Sequence, residues 1–318
     1  MDYDIFNGDA DGICALIQLR KAEPRDSTLV TGVKRDINLM DKIQAESDDR
    51  VTVLDVSMDK NSAGLEKTLA AGASVFYVDH HFPGTIPEHK DLVSIINEAP
   101  DVCTAALVNG HLQGAHLDWA VTGAYGDNLK ETAKTLAKGL NVSPADLAML
   151  EQLGVCINYN GYGPSIDDLH FDPEDLYRRL YAAPSALEFV SSSSDFARLS
   201  EGYASDMAMA QGLQAMHVSE DVAVFQLPDE AWARRVSGVY SNDLAIDNPA
   251  RAHAVLTSKA NGNYLVSVRA PLSDKQGAAE LCMQFPTGGG RAAAAGINDL
   301  PADRVNDFVE AFSTKYGS

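Results

Sequence analysis

Ser74-Val75-Phe76-Tyr77-Val78-Asp79-His80-His81-Phe82-Pro83-Gly84 is the stretch on which the reading of this chain turns. Val75 to Val78 form a short apolar run of β-branched and aromatic residues, the pattern of a buried strand. The run stops abruptly at Asp79, His80 and His81. A carboxylate and two imidazoles at a strand end are costly to bury unless something binds them. Carboxylate plus imidazole suits Mn²⁺, Fe²⁺ or Zn²⁺. The competing reading is a polar loop start with two ordinary histidines, and the rest of the chain decides between them.

Upstream, Tyr3, Ile5 and Phe6 have strand character, and Asn7-Gly8-Asp9-Ala10-Asp11-Gly12 follows before Ile13, Ala15, Leu16 and Leu19 take up helical spacing. This is strand, polar turn, helix; in an open α/β sheet such turns lie at the carboxyl edge, where ligands bind. Asp9 and Asp11, two apart, can both reach hard cations at that edge. A helix N-cap would explain one of them. Residues 28–33 read as a second strand, with Lys34 and Arg35 after it taken as solvated. Residues 36–45 read as a helix, and 51–54 as a third buried strand that ends in Asp55. Strand ends at Asp9, Asp55 and Asp79, separated by helical stretches, imply a parallel sheet with all three on one edge. Residues 93–96 add a strand, and 103–112 and 119–125 read as helices. The second of these runs into Asp127, a further candidate carboxylate.

Helices continue through Leu153, and residues 158–164 read as a polar aromatic loop whose tyrosines can stack on a base. A long amphipathic helix over 195–216 is expected to connect two domains. Beyond it the texture changes to strands at 223–225, 254–256 and 264–269, the last placing Leu265, Ser267 and Arg269 on one face. Gly288, Gly289 and Gly290 read as a loop with amides free for phosphate, followed by Arg291 and an alanine run suited to close helix packing. Arg269 and Arg291 supply cationic forks for phosphate or carboxylate. The expected division is 1–190 for a catalytic domain, 191–220 for a helical linker and 221–318 for a smaller substrate-binding domain.

Composition narrows the partners. The 318 residues are 45% hydrophobic, as in globular proteins, and carry a net charge of −20. Proteins that grip long nucleic acid show basic surfaces, so a phosphate substrate should be small. The acidic start lacks the basic segment of a signal peptide, and no apolar run is long enough for a membrane span. Cys14, Cys103, Cys156 and Cys282 are scattered, which speaks for a reducing cytoplasm over a disulfide or zinc-finger framework.

The order Asp-Ala-Asp, strand-end Asp, Asp-His-His, later Asp and distal Gly-Gly-Gly resembles the DHH phosphoesterase superfamily along nearly the whole chain. The resemblance implies an α/β fold: a doubly wound parallel-sheet catalytic domain joined by a helical linker to a smaller α/β substrate-binding domain. It implies two divalent ions, usually Mn²⁺, with Mg²⁺ or Co²⁺ as alternatives. Asp9 would bind the first, Asp11, His80 and Asp127 the second, and Asp55 both. Asp79 would orient an imidazole and His81 would face the phosphate. Arg269, Arg291 and the three glycines would hold the substrate from the other domain. The chain departs from the pattern in three places. Ile5 stands where several members have a metal-binding His, Asn7 where the RecJ type is acidic, and Arg291 where a His usually follows the glycines.

These features favour hydrolysis of short linear oligoribonucleotides, above all 5′-phosphorylated dinucleotides such as pGpG or pApA, to mononucleotides. A RecJ-like exonuclease of long single strands is disfavoured by the charge. The second domain and glycine motif disfavour an inorganic pyrophosphatase. Cyclic dinucleotides, 3′-phosphoadenosine 5′-phosphate and a catalytically silent nucleotide-binding module remain as alternatives, and a homodimer is left open.

Overall fold

The structure is a computed structural model that describes residues 1–317. Its contacts divide the chain into Met1–Gly202 and Tyr203–Ser318.

The first unit is built on a five-stranded sheet. Strand β1 (Asp2–Phe6) leads through a tight turn into helix α1 (Ala10–Ala22), which returns the chain to β2 (Thr28–Val30). Then come β3 (Arg50–Leu54), α2 (Ser62–Ala70), β4 (Ser74–Asp79) and β5 (Leu92–Ile96). The strand order is β2-β1-β3-β4-β5 and every pairing is parallel. The chain thus winds one way from β1 to β2 and the other way from β1 through β3, so the sheet is doubly wound. Its switch point lies between β1 and β3, where open α/β sheets bind ligands. Parallel strands buried on both faces need continuous apolar runs, and Val51, Val53, Val75 and Tyr77 meet Ile5, Met40 and Leu65 in one core. Six helices complete the unit: α3 (Thr104–His111), α4 (Leu117–Gly126), α5 (Lys130–Ala137), α6 (Pro144–Asn160), α7 (Pro173–Ala182) and α8 (Ala186–Ser192). At the start of α6, Ser143 and Asp146 cap each other's backbone amides, and Pro144 fills the first helical position, where its missing N–H costs nothing.

Several local expectations change here. Residues 36–45 are no helix; only the 3₁₀ turn Leu39–Lys42 forms. The Asn61 side chain explains this, since it donates to Ile37 O and accepts from Met40 N, tying the segment into a turn. The expected aromatic loop at 158–164 begins inside α6, which runs to Asn160. Tyr159 is fully buried with its hydroxyl 2.7 Å from His170 Nε2, so it is not available to stack on a base.

Helix α9 (Ser194–Gln211) contains the division between the units and stops before Gly212, short of residue 216. The second unit holds β6 (His217–Val218), β7 (Val222–Leu227), α10 (Ala231–Asp247), β8 (Ala252–Ser258) and β9 (Tyr264–Arg269). It ends with α11 (Ala278–Cys282), β10 (Gly288–Gly290), β11 (Ala294–Leu300) and α12 (Val305–Tyr316). The six strands form a mixed sheet, order β10-β11-β9-β8-β7-β6, in which only β7 and β8 run parallel. Val266 and Val268 of β9 enter a core with Leu281, Phe308 and Phe312. The alternate residues Leu265, Ser267 and Arg269 take the other face.

Candidate metal centre

Three turns at the carboxyl edge of the first sheet bring the acidic residues together. The parallel ladder continues past the strand ends, with Asn7 N on Leu54 O, Asp55 N on Val78 O and Asn97 N on Asp79 O. It thereby fixes the backbone from which each candidate ligand projects. Asp55 sits in the left-handed region at φ 60°, which a non-glycine residue adopts only when its surroundings hold it there.

His80 is the hub. Its Nδ1 lies 2.9 Å from the Val102 carbonyl, which can only accept, so this nitrogen carries a proton. In its neutral form the ring offers Nε2 to a cation. Nε2 is 3.5 Å from Asp55 Oδ1, 3.8 Å from Asp11 Oδ2 and 3.9 Å from Asp127 Oδ2. Asp11 is buried at the start of α1 and accepts from the Thr104 and Ala105 amides at the N-terminus of α3, both at 2.7 Å. These amides place its charge where a helix end favours an anion. Thr104 also donates its hydroxyl to Asp55.

Burial first, then the neighbouring carboxylates Asp11 and Asp9, push Asp55 well above the ordinary carboxylate range. Burial and Asp11 likewise push Asp127 up to about 7. Anionic oxygens crowded into one buried space repel one another unless a cation is present. Two donor groups that share His80, one with Asp55 and His81 and one with Asp11 and Asp127, therefore fit a divalent ion with mixed oxygen and nitrogen donors.

His81 lies beside this cluster, its Nδ1 4.0 Å from Asp55 Oδ1. Its Nδ1 donates to Asp79 Oδ1 at 2.7 Å, and its ring is partly open to solvent. Burial works against the charge of His81, but the hydrogen bond and charge of Asp79 outweigh it and raise the pKa. Asp79 is fully buried, and its second oxygen has no protein partner. The pair is arranged to present a cationic imidazole.

Asp9 borders the cluster, within hydrogen-bond reach of Asp55, but belongs to neither group of donors that could share an ion. Its Oδ1 caps α1 by accepting from the Asp11 and Gly12 amides. Its Oδ2 is 2.6 Å from Lys34 Nζ, which also donates to Asn158 Oδ1 at 2.9 Å and lies over the Tyr162 ring. Burial disfavours the charge on Asp9, but the field and hydrogen bond of Lys34 hold its pKa below the usual range. Lys34, expected to be solvated, is thus a partner of the site. No sequence pattern announces it, because residues distant along the chain provide its contacts. At the first ion position implied by the resemblance, Asp9 Oδ2 faces the Lys34 ammonium, and Ile5 is buried in the apolar core.

In the second unit Gly288, Gly289 and Gly290 form a strand of a hairpin with β11, in place of the expected loop. The following alanines supply its turn and second strand, so they do not form a helix face. Arg291 N bonds Ala294 O and Asn298 N bonds Thr287 O, so the ladder's alternation turns the Gly290 amide to the open sheet edge. Arg291 stands opposite Ala294, and Ala294 opposite Arg269. Both arginines therefore fall in one row on one face of this sheet. Arg269 is braced by Asn242 of α10, whose Oδ1 accepts from Nε at 2.8 Å.

A cavity of about 410 Å³ lies at the opposite edge of the first sheet, lined by Arg20, Arg25, Arg50 and Lys90. Each of these cations already has a carboxylate partner. Among the described residues no helix is long and apolar enough to cross a membrane.

No family profile and no curated protein matches the sequence. Solved structures do match the fold. The chain resembles a pGpG-specific phosphodiesterase, PggH from Vibrio cholerae, at 16% identity and a TM-score of 0.58, covering 99% of this chain and 98% of that one. It also resembles RecJ of Thermus thermophilus in complex with Mn²⁺, at 17% identity and a TM-score of 0.65, over 98% of this chain and 51% of that chain. A further exonuclease RecJ bound to manganese matches at 19% identity and a TM-score of 0.57, over 98% and 89% of the two chains. These likenesses establish that the chain shares its fold with this phosphodiesterase and with RecJ.

Proposed function

We propose that the chain is a metal-dependent phosphodiesterase that hydrolyses short linear oligoribonucleotides, 5′-phosphorylated dinucleotides such as pGpG or pApA first among them. The observation that carries this reading is the convergence of Asp11, Asp55 and Asp127 on Nε2 of His80 at the sheet's switch point. A divalent ion held by these residues, Mn²⁺ in the first instance, would supply Lewis acidity and lower the pKa of a water. His81, kept cationic by Asp79, neutralises charge that develops on the phosphoryl oxygens. Val102 O and Thr104 hold His80 and Asp55 in place. In the second unit, Arg269 and Arg291 provide an anion-binding face for a terminal phosphate, with Gly289 leaving room for it to approach.

The charge of −20 supports a small substrate over a long strand. The fold likeness to a pGpG-specific enzyme supports the same choice. Four buried free cysteines accord with a cytoplasmic setting. A panel tests the reading: linear and cyclic dinucleotides, longer RNA and DNA, pyrophosphate and 3′-phosphoadenosine 5′-phosphate, each with Mn²⁺, Mg²⁺ or Co²⁺. Turnover led by 5′-phosphorylated dinucleotides is expected. Inertness towards all of these dinucleotides beside hydrolysis of another ester would move the assignment to that ester, and inertness throughout would favour a silent binding module.

A further inference from the structure

Resting on the metal-dependent reading above, we propose that the Lys34 ammonium stands in place of a first metal ion, so that the centre holds a single divalent ion beside a built-in cation. Asp11 accepts only from uncharged amides, whereas Asp9 caps α1 through one oxygen and through the other already pairs a cation, the Lys34 ammonium. The two groups of donors close enough to bind an ion are Asp55, His80 and His81, and Asp11, His80 and Asp127; both omit Asp9.

The lysine is built into this position. Its side chain is 27% exposed and that of Asp9 only 4%. Its backbone is held from two sides, with Lys34 N donating to Gly161 O at 2.9 Å and Asn7 Nδ2 donating to Lys34 O at 3.1 Å. The second bond gives Asn7 a reason to be an amide, since an ionised acid at that position has no hydrogen to donate. Three backbones close tightly around the pair. A Cβ on Gly8 would lie 1.9 Å from Gly32 O, and one on Gly161 would lie 3.2 Å from Gly8 O. Ile5, Asn7 and Lys34 are then parts of one change: the apolar Ile5 offers no ligand, and Asn7 fixes the loop that delivers the ammonium.

Lys34 answers the charge of Asp9, and His81 that of Asp79. An ammonium has three donors. Asp9 and Asn158 take two, and the third is available to a phosphoryl oxygen of the substrate. Lys34 thus supplies the fixed positive charge that a first ion would otherwise bring.

The test counts ions and needs no turnover. The metal-free full-length chain is titrated with Mn²⁺, bound metal is measured by elemental analysis after desalting, and the paramagnetic resonance spectrum is recorded. A single Mn²⁺ per chain with the hyperfine pattern of an isolated ion is expected. In Lys34→Ala a second ion should bind and the spectrum should show exchange coupling; should that variant not fold, Lys34→Gln serves, since its carbonyl oxygen can ligate a cation. A second ion and a coupled spectrum in the wild type would overturn the proposal while leaving the metal-dependent reading intact. Unchanged single occupancy in a folded Lys34 variant would also overturn it. Absence of any bound Mn²⁺ would remove the metal centre itself, and the proposal with it.

Discussion

Asp55 joins a strained backbone, a buried charge and a central place among the candidate ligands in a single residue. Without a cation these features oppose folding: its carboxylate is crowded by Asp11, Asp9, Asp79 and Asp127. Asp55→Asn should therefore melt no lower than wild type when both are metal-free, because a neutral isostere replaces a carboxyl whose charged form the site opposes, and Asn tolerates a positive φ. The same variant should lose turnover and most of the rise in melting temperature that Mn²⁺ gives the wild type, a rise that follows from binding only to the folded state. A metal-free Asp55→Asn that is much less stable than wild type, or one that keeps its Mn²⁺ shift, contradicts this placement. The pH dependence has a definite sign. Asp127 titrates at about 7 in the folded metal-free protein, against an ordinary value of 3.8. Its contribution to stability is full below the ordinary value and is lost as pH rises through about 7, since the unfolded chain gives up the proton earlier. Thermal melts of metal-free protein across that window should show this loss, and saturating Mn²⁺ should flatten it.

At the level of elements, the first sheet was legible because its strands are short apolar runs and each functional carboxylate follows one of them directly. Asp9, Asp55 and Asp79 could be placed on a common edge from strand–helix alternation alone. Lys34 and Asn158 were not legible as partners, because their meeting depends on how α6 returns to the β1–α1 turn. The Val102 carbonyl that sets the His80 tautomer is equally silent, since any residue has a carbonyl. The glycine triplet shows a different limit: loop and edge strand are both open to glycine, and only pairing with β11 separates them. That pairing makes a contrast between neighbours. A Cβ on Gly288 would lie 1.8 Å from Cys282 O, whereas one on Gly289 meets nothing within 4 Å. Gly288→Ala should force the hairpin apart from α11 and lower the melting temperature clearly. Gly289→Ala should fold like wild type, yet weaken substrate binding, because its methyl projects on the arginine face. Equal melting temperatures for the two variants, measured side by side, would refute the hairpin register, and unaltered KM in Gly289→Ala would refute the use of that face.

For the whole molecule the dominant fact is charge, and it leads to a rule about substrate length. A net charge of −20 over 318 residues repels polyanions, so favourable contact with phosphate must be local. The first unit offers cations in Lys34, His81 and whatever ion its carboxylates hold; the second offers Arg269 and Arg291 in one row. A 5′-phosphorylated dinucleotide has a scissile phosphodiester and one further phosphate, and Arg291, exposed at the end of its strand, suits that terminal group. Each added nucleotide brings another charge towards an acidic surface and gains no new partner there. Rates on 5′-phosphorylated RNAs of increasing length should therefore fall steeply beyond the shortest, and the fall should soften as salt screens the repulsion. Arg291→Ala should cost about 1.5–3 kcal/mol in kcat/KM on the phosphorylated dinucleotide, the loss of a charged hydrogen bond. The same variant should cost much less on a dinucleotide lacking the 5′-phosphate. Kinetics on both dinucleotides and on a length series, in wild type and Arg291→Ala, separate the two claims. A flat length profile would contradict the charge argument and favour the exonuclease reading. An equal loss with and without the 5′-phosphate would show that Arg291 does not read the terminal group, and would leave the length rule to stand on the acidic surface alone.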